Sequence, residues 1–145
     1  MITLNDIATV LGLIIGVSAF SLSILNYFRD KAKIHVELKW DMKNINDDDN
    51  FVGLVSISNI GRRPIYFSHL SLKLPKNYDN NYLLIRDGLS GQKLLEGDQP
   101  LIFEISYEGM ERYKKDWKKI VVQVNDSSGK VWKSNQVTNK PSWAK

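Results

Sequence analysis

"IHVELKWDM", residues 34–42, decides the fold. Ile34, Val36, Leu38, Trp40 and Met42 alternate with His35, Glu37, Lys39 and Asp41. A two-residue period puts the five apolar side chains on one side of an extended chain, as in a strand half-buried in an antiparallel sheet. The sequence on its two sides differs in kind, and each side has to be read by its own rule.

Upstream lies "GLIIGVSAFSLSILNYFRDKAK", residues 12–33. From Ile7 to Tyr27 there are 21 residues without a charge, about 31 Å of helix against a hydrocarbon core of about 30 Å. Thr3 and Asp6 have capping-box spacing, which starts the helix near Leu4. Only Thr9, Ser18, Ser21, Ser23 and Asn26 interrupt the apolar run, and the hydroxyls of the first four can bond back to the helix backbone. Tyr27 and Phe28 fall where aromatic residues prefer the lipid–water boundary. A soluble core helix would carry a polar face. A cleaved signal has the small residues Val17-Ser18-Ala19 in its favour, but it would carry a basic flank before the run and a shorter apolar core. The reading is a retained single-pass span.

Charge then orients it. Arg29, Lys31 and Lys33 anchor the C-terminal end, with Lys39 and Lys43 close behind, and no Lys or Arg precedes the helix. The positive-inside rule places the N-terminus outside the inner membrane and the remaining chain in the cytoplasm. Ala8, Gly12, Gly16, Ala19 and Ser23 step by 4, 4, 3 and 4, so small residues line one helix face. Such a stripe lets two helix backbones approach closely in lipid, and it makes the chain an expected homo-oligomer through this segment.

Downstream of residue 42 the pattern stays β. "KNINDDDN" (43–50) reads as a polar loop, "FVGLVSISN" (51–59) as a strand, and Gly61 to Pro64 as a turn. In "IYFSHLSLKL" the inward set shifts from Ile65 and Phe67 to Leu70, Leu72 and Leu74, which predicts a bulge near Ser68. "LLIR", the "DGLSGQ" turn and "KLLEGDQPLIFEISY" follow, and "IVVQVNDSSGKVWKS" reads as a hairpin about DSSG. Only "GMERYKKDWKKI" has helical spacing, with Met110, Tyr113, Trp117 and Ile120 on one face. About seven short strands and one short helix make the chain mainly β, an antiparallel sandwich behind a transmembrane helix. The expected divisions are 1–28 for tail and helix, 29–33 for a basic linker, 34–135 for the sandwich, and 136–145 for a C-terminal tail.

"SNIGRRPIYF" is similar to the N-x-G turn and following strand of bacterial immunoglobulin-like domains, and "LLEGDQPLIFEI" resembles their L-x-x-G-[DE] turn. The resemblance implies an immunoglobulin-like sandwich that binds, bridges or scaffolds. The plan of membrane helix plus small cytoplasmic β domain also resembles membrane effectors of bacterial phage-defence systems.

Chemistry is sparse in the sequence. The chain has no cysteine, so thiol catalysis and thiolate zinc sites are excluded. His35 and His69 are the two histidines, distant in sequence and each read as a surface or packing residue. Asp47-Asp48-Asp49 lacks the spacing of a calcium loop and reads as solvated acid. "GLSGQ" is not a nucleophile elbow, and no phosphate-binding glycine loop is present. No enzyme activity, cofactor or metal is expected. A net charge of +4 with mixed signs does not call for a nucleic-acid partner. The cationic residues that remain are Arg112, Lys114, Lys115, Lys118 and Lys119, interleaved with Tyr113 and Trp117, and the pair Arg62 and Arg63. Together they form a candidate patch for anionic lipid or an anionic ligand. The expected function is a non-enzymatic, membrane-anchored binding or sensing module with an unknown protein or small-molecule partner. The alternative is a membrane effector whose helices cluster and disrupt the bilayer when the β domain senses a ligand.

Overall fold

The computed structural model describes residues 3–44, 47–86 and 91–145. The chain divides into two compact units, Met1–Lys31 and Ala32–Lys145.

The first unit is α1 (Leu4–Arg29), a helix of 26 residues. Its start is the capping box read from the sequence. The Asp6 amide donates to Thr3 Oγ1 (3.3 Å) and the Thr3 amide to Asp6 Oδ2 (2.9 Å). The hydroxyls of Thr9, Ser18 and Ser21 each donate to the carbonyl four residues back at 2.8 Å. Their polar atoms are thereby satisfied within the helix, as a hydrocarbon environment requires. None of its side chains is buried, and α1 is long and apolar enough to cross a membrane.

Among its described residues the second unit has eight strands: β1 (Ile34–Asn44), β2 (Asp47–Asn59), β3 (Ile65–Lys73), β4 (Tyr82–Arg86), β5 (Lys93–Leu94), β6 (Leu101–Ile105), β7 (Val121–Asp126) and β8 (Val131–Lys133). Every pairing is antiparallel. One sheet has the order β1-β2-β6 and the other β4-β3-β7-β8, with β5 also on β3. The architecture is that of a β-sandwich. The strand count exceeds seven because "KLLEGDQPLIFEISY" breaks into β5 and β6 at Gly97, whose φ of +78° suits glycine.

The core takes alternate residues from both sheets. Ile34, Val36, Leu38 and Trp40 of β1 and Val55 and Ile57 of β2 are buried with Phe67, Leu70 and Leu72 of β3 and Val122 and Val124 of β7. The bulge expected near Ser68 is present. Phe67 pairs with Asp126 and His69 with Asn125, leaving one extra residue on β3. That residue moves the inward set from Phe67 to Leu70, and both are fully buried.

Three expectations change. Met42, assigned to the core by alternation, is 39% exposed. Lys39 pairs with Leu54 but Met42 with Val52, so β1 carries an extra residue. Asp41 supplies it at φ +59°, and the parity of everything beyond is reversed. Next, residues 43, 44 and 47–50, read as loop, extend β1 and β2, and the Lys43 ammonium lies 5.8 Å from the Phe51 ring across the pair. Residues 45 and 46 lie outside the described set, as do 87–90 of the DGLSGQ turn. Finally, "GMERYKKDWKKI" is two single 3-10 turns, Met110–Tyr113 and Trp117–Lys119. Successive i→i+3 bonds from Lys114, Asp116 and Lys119 keep the segment tighter than an α-helix. Its apolar face is nonetheless the one anticipated, with Met110, Tyr113, Trp117 and Ile120 all buried.

The last ten residues do more than trail. Pro141, Trp143 and Ala144 are buried, with a third 3-10 turn over Ser142–Ala144. The Trp143 ring meets Trp40 edge-on at 5.4 Å.

Candidate functional site

The expected site residues fall on three separate surfaces. On α1, Ala8, Gly12, Gly16, Ala19 and Ser23 are all exposed, and a Cβ added at Gly12 or Gly16 would meet nothing within 4 Å. Just past the helix, the Lys31 ammonium sits 4.8 Å from the Phe28 ring and 5.3 Å from that of Tyr27. Arg29 and Lys31 lie in the first unit, and Lys33 in the second.

The cationic residues of the β domain divide between its two ends. Arg62 and Arg63 are exposed in the loop after β2, a loop fixed by Asn59. The buried Asn59 amide donates to the carbonyls of Arg63 (2.8 Å) and Leu94 (3.0 Å) and accepts from the Gly61 amide (3.0 Å). The amides of Ile60 and Gly61 both reach the Lys33 carbonyl, at 2.9 and 3.1 Å, so this is the end where the chain enters the domain. Arg112, Lys114, Lys115, Lys118 and Lys119 instead follow the far end of β6. There Ile105 pairs with Gly53, six residues of β2 away from Asn59. At about 3.3 Å per residue the two groups are about 20 Å apart. The fold therefore does not join Arg62 and Arg63 to the second cluster.

That second cluster is partly occupied by its own anion. Lys119 Nζ lies 2.7 Å from Asp116 Oδ1, and Asn77 and Tyr78 donate to the same carboxylate at 3.1 and 3.2 Å. The bond from Lys119 holds the Asp116 carboxyl below the usual carboxylate range and pushes the Lys119 ammonium up. Lys118 lies 5.5 Å from the Trp117 ring.

The histidines stand on different sheets. His69, half-buried, lines a depression of about 440 Å³ on the outer face of the β3 sheet with Ser71, Tyr82, Leu84, Gln123 and Asn125. His35 lines another hollow. Among the described residues no group of three His, Asp or Glu side chains converges as metal ligands would.

The hollow at His35 is the feature that the sequence pattern did not announce. It has a volume of about 520 Å³, with β1 from His35 to Met42 as one wall and Asn135–Asn139 as the other. The second wall is a strap tied down at both ends. At one end the Ser134 amide donates to the Val122 carbonyl (2.9 Å) and the Val122 amide to Ser134 Oγ (3.0 Å). At the other, the Asp41 carboxylate accepts the Ser142 amide (2.9 Å), the Ser142 hydroxyl and the Tyr107 hydroxyl (2.9 Å). Burial works to raise the Asp41 pKa, but the bonds from Ser142 and Tyr107 outweigh it and hold the carboxyl below its ordinary range. Burial pushes the Tyr107 phenol up to about 12.

A scan of family models finds no match to this chain, and a search of curated proteins finds none either.

Proposed function

We propose that this protein is a membrane-anchored, non-enzymatic binding module. The observation that carries the reading is the pairing of a wholly exposed apolar helix of 26 residues with a β unit that has its own core. A helix of that length and composition is costly to keep in water and stable in a bilayer. Arg29, Lys31 and Lys33, clustered after the helix, support a β domain on the cytoplasmic side of the inner membrane with the N-terminus outside.

The sandwich is read as immunoglobulin-like. Lettering β1, β2, β3, β4, β6, β7 and β8 as A, B, C, C′, E, F and G turns the two sheet orders into A-B-E and C′-C-F-G. That arrangement keeps the C-F-G sheet of the immunoglobulin plan, with C′ added beside C. Domains of this architecture present loops and edges to partners, which supports binding over catalysis, although architecture by itself leaves the partner open.

The effector reading is favoured by one observation, the open small-residue face around Gly12 and Gly16. Exchange of residues 7–28 for an unrelated leucine-rich span separates the two. A binding module keeps its membrane location and its co-purifying partner after the exchange. An effector arrests growth when overexpressed with the native helix and loses that activity with the substitute. Growth arrest that depends on the native helix would overturn the proposal.

A further inference from the structure

The hollow between β1 and the strap has two walls of backbone; the Asp41 amide at one end of β1 is taken by the Tyr107 hydroxyl, and the stretch from His35 to Trp40 has no strand partner on that edge among the described residues. β1 is an edge strand among the described residues: β2 occupies one side and no described strand pairs with the other. Opposite it, among the described residues, no backbone hydrogen bond involves residues 135–140, which run between the ties at Ser134 and Ser142. Backbone amides and carbonyls seek partners, and an exposed strand edge is a template for another extended chain. Here the template is doubled. The strap faces that edge across the hollow of about 520 Å³, the space a lone strand would occupy.

We infer that this slot binds an extended peptide segment of a partner protein by strand addition, with β1 on one side and Asn135–Asn139 on the other. This names the partner class of the binding module proposed above, and so it rests on that reading.

The walls also specify the guest. Val36, Leu38 and Trp40 of β1 point inward, and Val137 of the strap packs against the same core, so every second guest residue meets an apolar surface. His35, Glu37 and Lys39 point outward with the charges of Glu37 and Lys39 already paired at 3.1 Å, so the intervening guest residues meet a polar surface with little net charge. The other strap lining residues, Asn135, Gln136, Thr138 and Asn139, offer neutral donors and acceptors and no ionic partner. The fitting sequence therefore alternates apolar with uncharged polar residues. Five strap residues span about 16 Å, the length of about five guest residues. Such recognition takes affinity from main-chain bonds and specificity from alternate side-chain pockets.

The test uses the full chain in detergent micelles and the peptide acetyl-Thr-Val-Thr-Val-Thr-Val-Lys-amide. Hydrogen exchange is read with the parent peptide and with two versions, N-methylated at the valines or at the threonines. In a strand, successive amides point to opposite edges, so each set faces one wall. The expected result is a slowing of at least tenfold at amides within 35–41 and 135–139 with the parent, and none with either methylated version. No slowing at those amides, or a methylated version equal to the parent, overturns the slot. Slowing elsewhere on the β domain also overturns it while leaving the binding module standing. Loss of the module reading shows separately, in the helix-exchange experiment.

Discussion

Gly53 is the residue at which a single added carbon tests the packing of the β domain. It sits on β2 opposite the bulge at Asp41, where Trp40 folds over the backbone. A Cβ built there would collide with Trp40 Cζ3 and would lie 2.6 Å from Trp40 Cε3 and 3.3 Å from Ile105 Cβ. The Trp40 ring is 8% exposed and held edge-on by Tyr107 at 5.8 Å and Trp143 at 5.4 Å, so to admit the carbon it has to shift against these rings or toward the hollow it lines. Overpacking of this kind costs about 1–3 kcal/mol, a large part of the roughly 5–15 kcal/mol that stabilises an ordinary domain. For a unit of this size Gly53→Ala should lower Tm by about 4–12 °C. The assay is thermal unfolding of the full chain followed by tryptophan fluorescence, since all 4 tryptophans lie in the β domain. Trp40→Leu removes the obstructing ring, so the double variant should lose less than the sum of the singles by about 1 kcal/mol or more. Additive losses, or a Gly53→Ala protein as stable as its parent, would refute the account of the bulge.

Three further outcomes are expected. Asn59→Ala removes the donor to the buried Leu94 carbonyl and to the part-buried Arg63 carbonyl and should destabilise the domain by about 2 kcal/mol in urea titration, and Asn59→Asp should not restore it, because a carboxylate sets an acceptor against both carbonyls. Burial opposes the depression of the Asp126 pKa, but bonds from Ser128, Trp132 and Lys130 prevail; because the folded value lies below the unfolded one, this stability is present above about pH 4 and lost as pH falls through the folded pKa. An Asp126→Asn variant should therefore show a flatter stability profile between about pH 2 and 5 than the parent, and identical slopes would contradict this. Gly12→Ile or Gly16→Ile should weaken self-association in a membrane two-hybrid assay at unchanged expression, and an unaltered signal would remove the small-residue face as a contact.

The parts of this fold that were legible in sequence are those set by local periodicity and turn chemistry. Alternation in residues 34–40, the phase change after Phe67, the Asn59–Gly61 turn and the Thr3–Asp6 cap all depend on neighbours within a few positions. Met42 shows where that logic stops. Its alternation is perfect in one dimension, and only the fit of Trp40 over Gly53, a partner on another strand, inserts the bulge that turns it outward. The lone glycine in "FVGLVSISN" was the available signal, since a glycine inside a strand marks a bulge or a close approach. The placement of the basic residues was not legible for a related reason. Sequence showed the clusters, but which end of the sandwich each occupies depends on strand order. The strap was hidden by its polar composition, although Trp143 near the terminus marked a segment with apolar area to bury.

Topology across the membrane tests the central claim most directly, and the absence of native cysteine makes it clean. Single cysteines are introduced as Ile2→Cys and Lys140→Cys, and cells are treated with a maleimide that cannot cross the inner membrane. The account predicts labelling at position 2 in intact cells and at position 140 only after permeabilisation. Labelling of position 140 from outside, or recovery of the full-length chain in the soluble fraction, would contradict it.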